Sequence, residues 1–273
     1  MMLVDLSEAV DAAEVGGKAA NLGRIKRAGF DVPDGFVITA AVHATADTDV
    51  TVPPSWRGRI GDAVARIGPP VAVRSTGVDE DGGAASFAGQ FRSYLSLQTT
   101  DQVMDAVAGC WRSGSTRSAR EYRGDTADTF MPVLVQRMVP ADHAGVMFTQ
   151  DPVTGDPSQL VVEAVAGLGD ALCDGRVDPD RFHLDKITGA VRSVTRATGS
   201  SPTSSTVLRL RDLAIALERL FGSPQDIEWA AVGEQIWVLQ SRPITVNTRP
   251  TGVASSLIDM PAVFAPQRST DVG

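Results

Sequence analysis

Hydrophobic positions along the chain switch between helical spacing and alternation, and the switches predict its elements. Leu22, Ile25 and Gly29 recur three and four residues apart in GGKAANLGRIKRAG (16–29), a short helix opened by a Gly-Gly pair and stopped by glycine. Asp31–Gly35 is turn chemistry, and Phe36–Thr39 is a strand. A helix over 58–67 is stopped by Pro69-Pro70 and followed by a strand over Val71–Ser75. Residues 75–90 are glycine-rich and carry no apolar period; a loop of that length inside a domain is functional or disordered. A strand over 91–97 and a helix over 101–122 complete the first half. The second half holds strands over 132–138, 145–149, 160–164 and 182–184, a turn over 151–156 and a polar loop over 198–206. Leu210, Leu213, Ala214, Leu217, Leu220 and Phe221 then mark an amphipathic helix that ends at Gly222, with Pro224 beyond. A hairpin follows, Asp226–Val232 and Gln235–Pro243, and from residue 247 no pattern remains. No internal repeat is present, and the mixture predicts an α/β or α+β class.

Composition narrows the function. With 273 residues and 43% hydrophobic side chains the chain can bury a sizeable core in one large or two small domains. Its 25 Lys+Arg against 33 Asp+Glu leave a net charge of −8 without a basic cluster, which argues against nucleic acid as a partner. The absence of a long apolar run and the acidic start MMLVDLSEAVDAAE argue against a membrane and predict a cytoplasmic protein. Cys110 and Cys173 lie far apart without zinc-site spacing, as idle thiols in a reducing compartment would. His43, His143 and His183 are scattered singly.

Two places hold candidate chemistry. Gly16-Gly17-Lys18 and the glycine-rich stretch match neither G-x-x-x-x-G-K-[ST] nor G-x-G-x-x-G, so a P-loop and a dinucleotide fold fail on spacing. Lys18, Arg74 and a loop of backbone N–H groups can cover phosphates, or they are two surface cations beside a loop. In the hairpin, strand alternation sets Gln240 and Arg242 on one face. A two-residue Gly233-Glu234 turn puts Glu228 on the other face, whereas a three-residue Val232–Glu234 loop gathers all three into a hard oxygen site for Mg²⁺ beside a guanidinium. A solvated sheet face is the other reading of that hairpin.

Five stretches, in order, resemble the ATP-grasp nucleotide-binding domain of the phosphoenolpyruvate synthase, pyruvate phosphate dikinase and rifampicin phosphotransferase group. They are 16–39, 71–97 (VAVRSTGVDEDGGAASFAGQFRSYLSL), 132–156 (PVLVQRMVPADHAGVMFTQDPVTGD), 161–186 and 226–245 (DIEWAAVGEQIWVLQSRPIT). The resemblance implies an α+β, two-lobed ATP-grasp fold with the nucleotide between lobes 1–131 and 132–246, and a tail or linker over 247–273. It implies ATP and Mg²⁺ as cofactors. Lys18, Arg74 and Arg242 match phosphate-contacting positions, Arg74 and Arg242 with catalytic roles, and Gly89, Gln90 and Ser93 belong to the covering loop and its exit. Gln136, Met138 and Val139 match the adenine hinge, and Glu228 and Gln240 the magnesium ligands.

The departures are equally specific. The stretch between Lys18 and Arg74 is shorter than is usual in the family, R-S-T-G-V-D-E-D stands for the common R-S-S-A-T-A-E-D, and Asp170 replaces a glutamate. Full-length members pass phosphate to a histidine in a T-S-H-A-type motif on a swivelling domain, and no histidine here sits in one. The resemblance therefore implies the ATP half of a phosphotransfer, with the acceptor histidine on another chain or on a domain this sequence lacks. A nonenzymatic ATP-sensing module is the rival reading, and a piece of a larger enzyme is a third. For one metal site to form, the hairpin is expected to close through Val232–Glu234 with Ala231 opposite Gln235, and Trp229 to pack into the core with Ile227, Trp237 and Leu239.

Overall fold

The computed structural model describes residues 2–46, 50–77, 93–114, 131–169, 177–197 and 200–244. In chain order these form β1 (Leu3–Asp5), α1 (Ala12–Val15), α2 (Gly17–Arg27), β2 (Gly35–Ile38), α3 (Ala40–His43), α4 (Arg57–Ile67), β3 (Val71–Ser75), β4 (Ser93–Leu97) and α5 (Thr100–Gly114). There follow β5 (Val133–Arg137), β6 (His143–Phe148), β7 (Gln159–Ala166), β8 (Asp180–Asp185), β9 (Val191–Thr195), α6 (Ser204–Phe221), β10 (Gln225–Val232) and β11 (Gln235–Pro243). Among the described residues the strands make two sheets, ordered β1-β2-β5-β3-β4 and β11-β10-β6-β7-β8-β9. This is the two-lobed α+β arrangement expected. Val133–Arg137, which a division at 131/132 assigns to the second lobe, is a strand of the first sheet, between β2 and β3. No helix among the described residues is long and apolar enough to cross a membrane.

Alternation decides what each face of the first sheet meets. Phe36, Ile38, Val71, Val73, Val133 and Val135 point to one side and are buried with Ile60 and Val64 of α4 and Val103, Val107 and Trp111 of α5. Cys110 is a buried thiol of this cluster. The intervening Val37 and Leu134 face the other way, into a core shared with Leu22 and Ile25 of α2 and with the second sheet. Ala72, Arg74 and Gln136 alternate onto that second side, where the strands turn from apolar to polar.

The second sheet buries Leu160, Val162, Phe182, Leu184, Ile227 and Trp229 under Val207, Leu210, Ala214 and Leu217 of α6. Each such leucine contributes about 2 kcal/mol through its removal from water. The helix begins earlier than its leucine period, at Ser204, because Thr203 caps it by accepting from Thr206 N at 3.2 Å, so the last three residues of the polar run are helical. It stops at Gly222 in the left-handed region (φ 75°). β1, three residues long, and β9, exposed throughout, carry too little apolar alternation to be read from sequence.

The hairpin differs from expectation. Val232 pairs with Gln235 across a two-residue Gly233-Glu234 turn, with Gly233 at φ 57°, so the predicted three-residue loop with Ala231 opposite Gln235 does not form. Asp142 pins this turn, its Oδ2 accepting from Gly233 N at 2.7 Å. Near the turn the register is set by apolar burial, with Trp229 opposite Val238 and Ala231 opposite Ile236 facing the core. An unbroken ladder would then drive Gln240 and Arg242 into that core, at the cost of desolvating an amide and a cation. Instead the register slips between Glu228 and Trp229, and Leu239 is the extra residue of a β-bulge. Glu228 consequently pairs directly with Gln240, and Asp226 with Arg242. The two-residue turn, by pairing Trp229 with Val238, also overturns the expected packing of Trp237 and Leu239 with Trp229. They lie with Ala230, Ala144 and Val139 on the face opposite Trp229, whose apolar partners include Val238 and Ile227.

Candidate functional site

The polar side of the first sheet and the bulged face of the second meet at Arg74. This side chain is buried, with Nη1 3.6 Å from Glu228 Oε2 and 3.4 Å from the carbonyl oxygen of Leu239. The bulge thus does two things, bringing Glu228 opposite Gln240 and offering Arg74 a carbonyl outside the regular ladder. Glu228 Oε2 and Gln240 Oε1 are both buried and neither accepts a hydrogen bond. Two such oxygens on directly paired residues are of the chemistry that a hard divalent cation takes. Among the described residues no cluster of three or more His, Cys, Asp or Glu is placed to hold a metal. A cation here would therefore draw its remaining ligands from water and from an anionic ligand, as Mg²⁺ commonly does.

Next to Arg74 lies an apolar slot with about 460 Å³ of empty space, its open mouth included. Ala72, Leu95, Val139, Ala230 and Leu239 line it, with Gln136 and Met138 from β5 and the residues after it, and Leu168 and Gly169 from the G-L-G-D stretch. The amide of Gln136 is buried and donates through Nε2 to the Pro33 carbonyl at 3.3 Å, which fixes its rotamer. Met138 Sδ accepts from Ser96 N at 2.9 Å, tying the residue after β5 to β4. Ser93 pairs with Arg74 across β3 and β4. Lys18 is buried in the first turn of α2, beside the end of β3. Gly89 and Gln90 lie outside the described residues, as does Cys173.

Asp226 extends the charged face and was not singled out by motif. Its Oδ2 accepts from Arg242 Nε at 2.9 Å and lies 2.8 Å from Nη2. Burial pushes the Asp226 carboxyl above its ordinary value of 3.8, and the Arg242 guanidinium opposes that shift while the Glu228 and Glu163 charges add to it. Between the ordinary and the raised value the folded protein holds a proton that the unfolded chain has released. The stability Asp226 contributes is therefore present at low pH and lost as pH rises through that interval. Chemical denaturation across this range is expected to show a shallower decline for Asp226→Asn than for the natural protein; identical profiles would exclude the effect.

The apolar slot has the buried Arg74 guanidinium in its wall, and Glu228 and Gln240, with their two unsatisfied oxygens, pair across the hairpin on the other side of that guanidinium's ion pair. Comparison with known proteins gives the family. A family profile described as "Pyruvate phosphate dikinase, AMP/ATP-binding domain" matches residues 48–203 and 191–260. The prodigiosin synthesizing transferase PigC of Serratia marcescens is 33% identical over 91% of this chain and 34% of its own length. A rifampicin phosphotransferase of Streptomyces sp is 34% identical over 89% of the chain and 36% of its own. The phosphoenolpyruvate synthase of Aeropyrum pernix is 31% identical over 86% and 41%. The chain spans between a third and just over two fifths of these relatives.

Proposed function

The chain belongs to the pyruvate phosphate dikinase AMP/ATP-binding domain family, and from that premise we propose that it performs the ATP half-reaction of a phosphotransfer whose acceptor is a histidine on another chain or domain. The observation that carries this reading is the pair of buried, unsatisfied oxygens on Glu228 and Gln240, residues that pair across the hairpin next to Arg74, whose own side chain lines the apolar slot. In this reading Gln136, Met138 and Val139 flank the adenine. Lys18, Arg74 and Arg242 hold the phosphates, and Gly89, Gln90 and Ser93 lie over them. Glu228 and Gln240 hold Mg²⁺, which when bound compensates charge on the phosphate oxygens. Arg74, desolvated and held by two partners, is oriented before the nucleotide arrives, and its charge counts for more than it would in water. In this half-reaction the acceptor histidine takes the β,γ-pyrophosphoryl group, AMP leaves and the γ-phosphate is released afterwards, which asks the protein mainly for positioning and electrostatics. The setting is a cytoplasmic one.

Each of the chain's own histidines has a neighbour within the fold. His43 is buried and stacked on Trp111 at 4.5 Å, its Nδ1 accepting from Met131 N at 2.9 Å. His143 meets Ser200, and His183 Nδ1 lies 3.8 Å from Asp151. Calorimetry is expected to show nucleotide binding that Mg²⁺ strengthens. Incubation with Mg²⁺-ATP alone is expected to leave His43, His143 and His183 unphosphorylated by mass spectrometry, and AMP to form once a partner carrying a T-S-H-type histidine is added. No binding at millimolar ATP would remove the reading, stoichiometric phosphate on any of the three would remove the external acceptor, and binding without AMP in the partner's presence would favour a sensor.

A further inference from the structure

The first turn of a helix leaves backbone N–H groups without intrahelical acceptors, and a Ser, Thr, Asp or Asn side chain just ahead of it usually takes one. At α2 that place belongs to Gly16, which has no side chain and sits at φ 81° and ψ 156°. The missing cap comes from the end of β3. Thr76 Oγ1, fully buried, accepts from Ala19 N at 3.2 Å and donates to the Val15 carbonyl at 3.3 Å. Gly17 N donates to the Gly77 carbonyl at 3.2 Å, so two donors of the turn are satisfied by residues some sixty positions away. Lys18 lies between these two anchored amides, and Thr76 follows Arg74 by two residues on the same strand end. The next turn of α2 is tied to the hairpin, where Asn21 Nδ2 donates 3.2 Å to the carbonyl of Ser241, the residue between Gln240 and Arg242.

We propose that Thr76 is a positioning residue of the phosphate site, a helix cap supplied from β3 that holds Lys18 in register with Arg74, and that Asn21 sets the same turn against the bulged hairpin. The proposal rests on the reading of Lys18 as a phosphate contact. A threonine kept for packing alone tolerates valine, which has its shape. A cap does not, because valine leaves the Ala19 N–H and the Val15 carbonyl without their partner.

The experiment measures Mg²⁺-ATP dissociation constants and thermal midpoints for the natural protein, Thr76→Val, Thr76→Ser, Lys18→Ala and the Thr76→Val/Lys18→Ala double variant. Thr76→Val is expected to weaken binding about tenfold and Thr76→Ser, which keeps the hydroxyl, by less than about twofold. In the Lys18→Ala background Thr76→Val is expected to add less than about twofold, since its effect passes through the lysine. Binding by Thr76→Val equal to that of the natural protein, or a loss carried undiminished into the Lys18→Ala background, overturns the proposal. Should Thr76→Val fail to fold, Asn21→Ala in both backgrounds decides on the same criterion. Absence of binding by the natural protein is a separate result that removes the nucleotide reading and the proposal with it.

Discussion

Replacing Gly16 with alanine is expected to cost about 4 kcal/mol of folding stability, the largest single-residue effect foreseen among the described glycines. Two causes add. Its dihedrals, φ 81° and ψ 156°, fall in a region that only glycine populates freely, which by itself costs about 1 to 3 kcal/mol for another residue. A Cβ there would also stand 1.7 Å from the Thr76 carbonyl oxygen and 2.4 Å from its Oγ1, so Thr76 must move. Moving it breaks the cap on Ala19 and strains the Gly17–Gly77 bond at the same time. Gly222 is the control: it too has a positive φ, but a Cβ there meets nothing within 4 Å, and alanine should cost only about 1 to 2 kcal/mol. Urea unfolding of the two variants checks the difference, and a Gly16→Ala loss no greater than that of Gly222→Ala would contradict the packing described.

Arg74→Met is expected to weaken Mg²⁺-ATP binding about a hundredfold, the range of a charge-assisted contact of about 3 kcal/mol. Methionine keeps much of the apolar stem, so the lost binding reports the guanidinium more than the volume. Stability should fall as well, because Glu228 loses the cation 3.6 Å from its buried Oε2, and breaking a buried pair costs about 3 to 5 kcal/mol. The two effects make a further distinction possible. If Glu228 and Gln240 form a cation site, Mg²⁺ alone offsets the uncompensated carboxylate and should raise the melting midpoint of Arg74→Met more than that of the natural protein. Equal or absent shifts in the two proteins would argue against a metal at those oxygens.

Much of the site was legible because the relevant information is local. In VAVRS, alternation alone sends Val71 and Val73 to the helices α4 and α5 and leaves Ala72 and Arg74 on the opposite face. The leucines at 210, 213, 217 and 220 announce α6 before any partner is known, although Thr203 rather than the leucine period sets where it starts. Gln136, Met138 and Val139 could be placed together from one short motif, and they do line one slot. Asp226 was missed since a lone aspartate on a half-buried strand carries no signal of its own; burial and the pairing with Arg242 give it its character.

By itself, then, the chain's sequence determined which face each side chain takes within its own strand or helix, because that depends on a period of two or 3.6 residues and on nothing farther away. The tertiary structure alone decided how those faces are matched. It assigned β5 to the first sheet, drew the cap of α2 from Thr76 and inserted Leu239 as a bulge. Each of these settles a conflict between distant segments. The hairpin shows the reason most clearly: the short turn and the Trp229–Val238 pair demand one register, the Glu228–Gln240 pair demands a register one residue away, and only the packing of both faces at once makes a bulge the lowest-energy way to satisfy them.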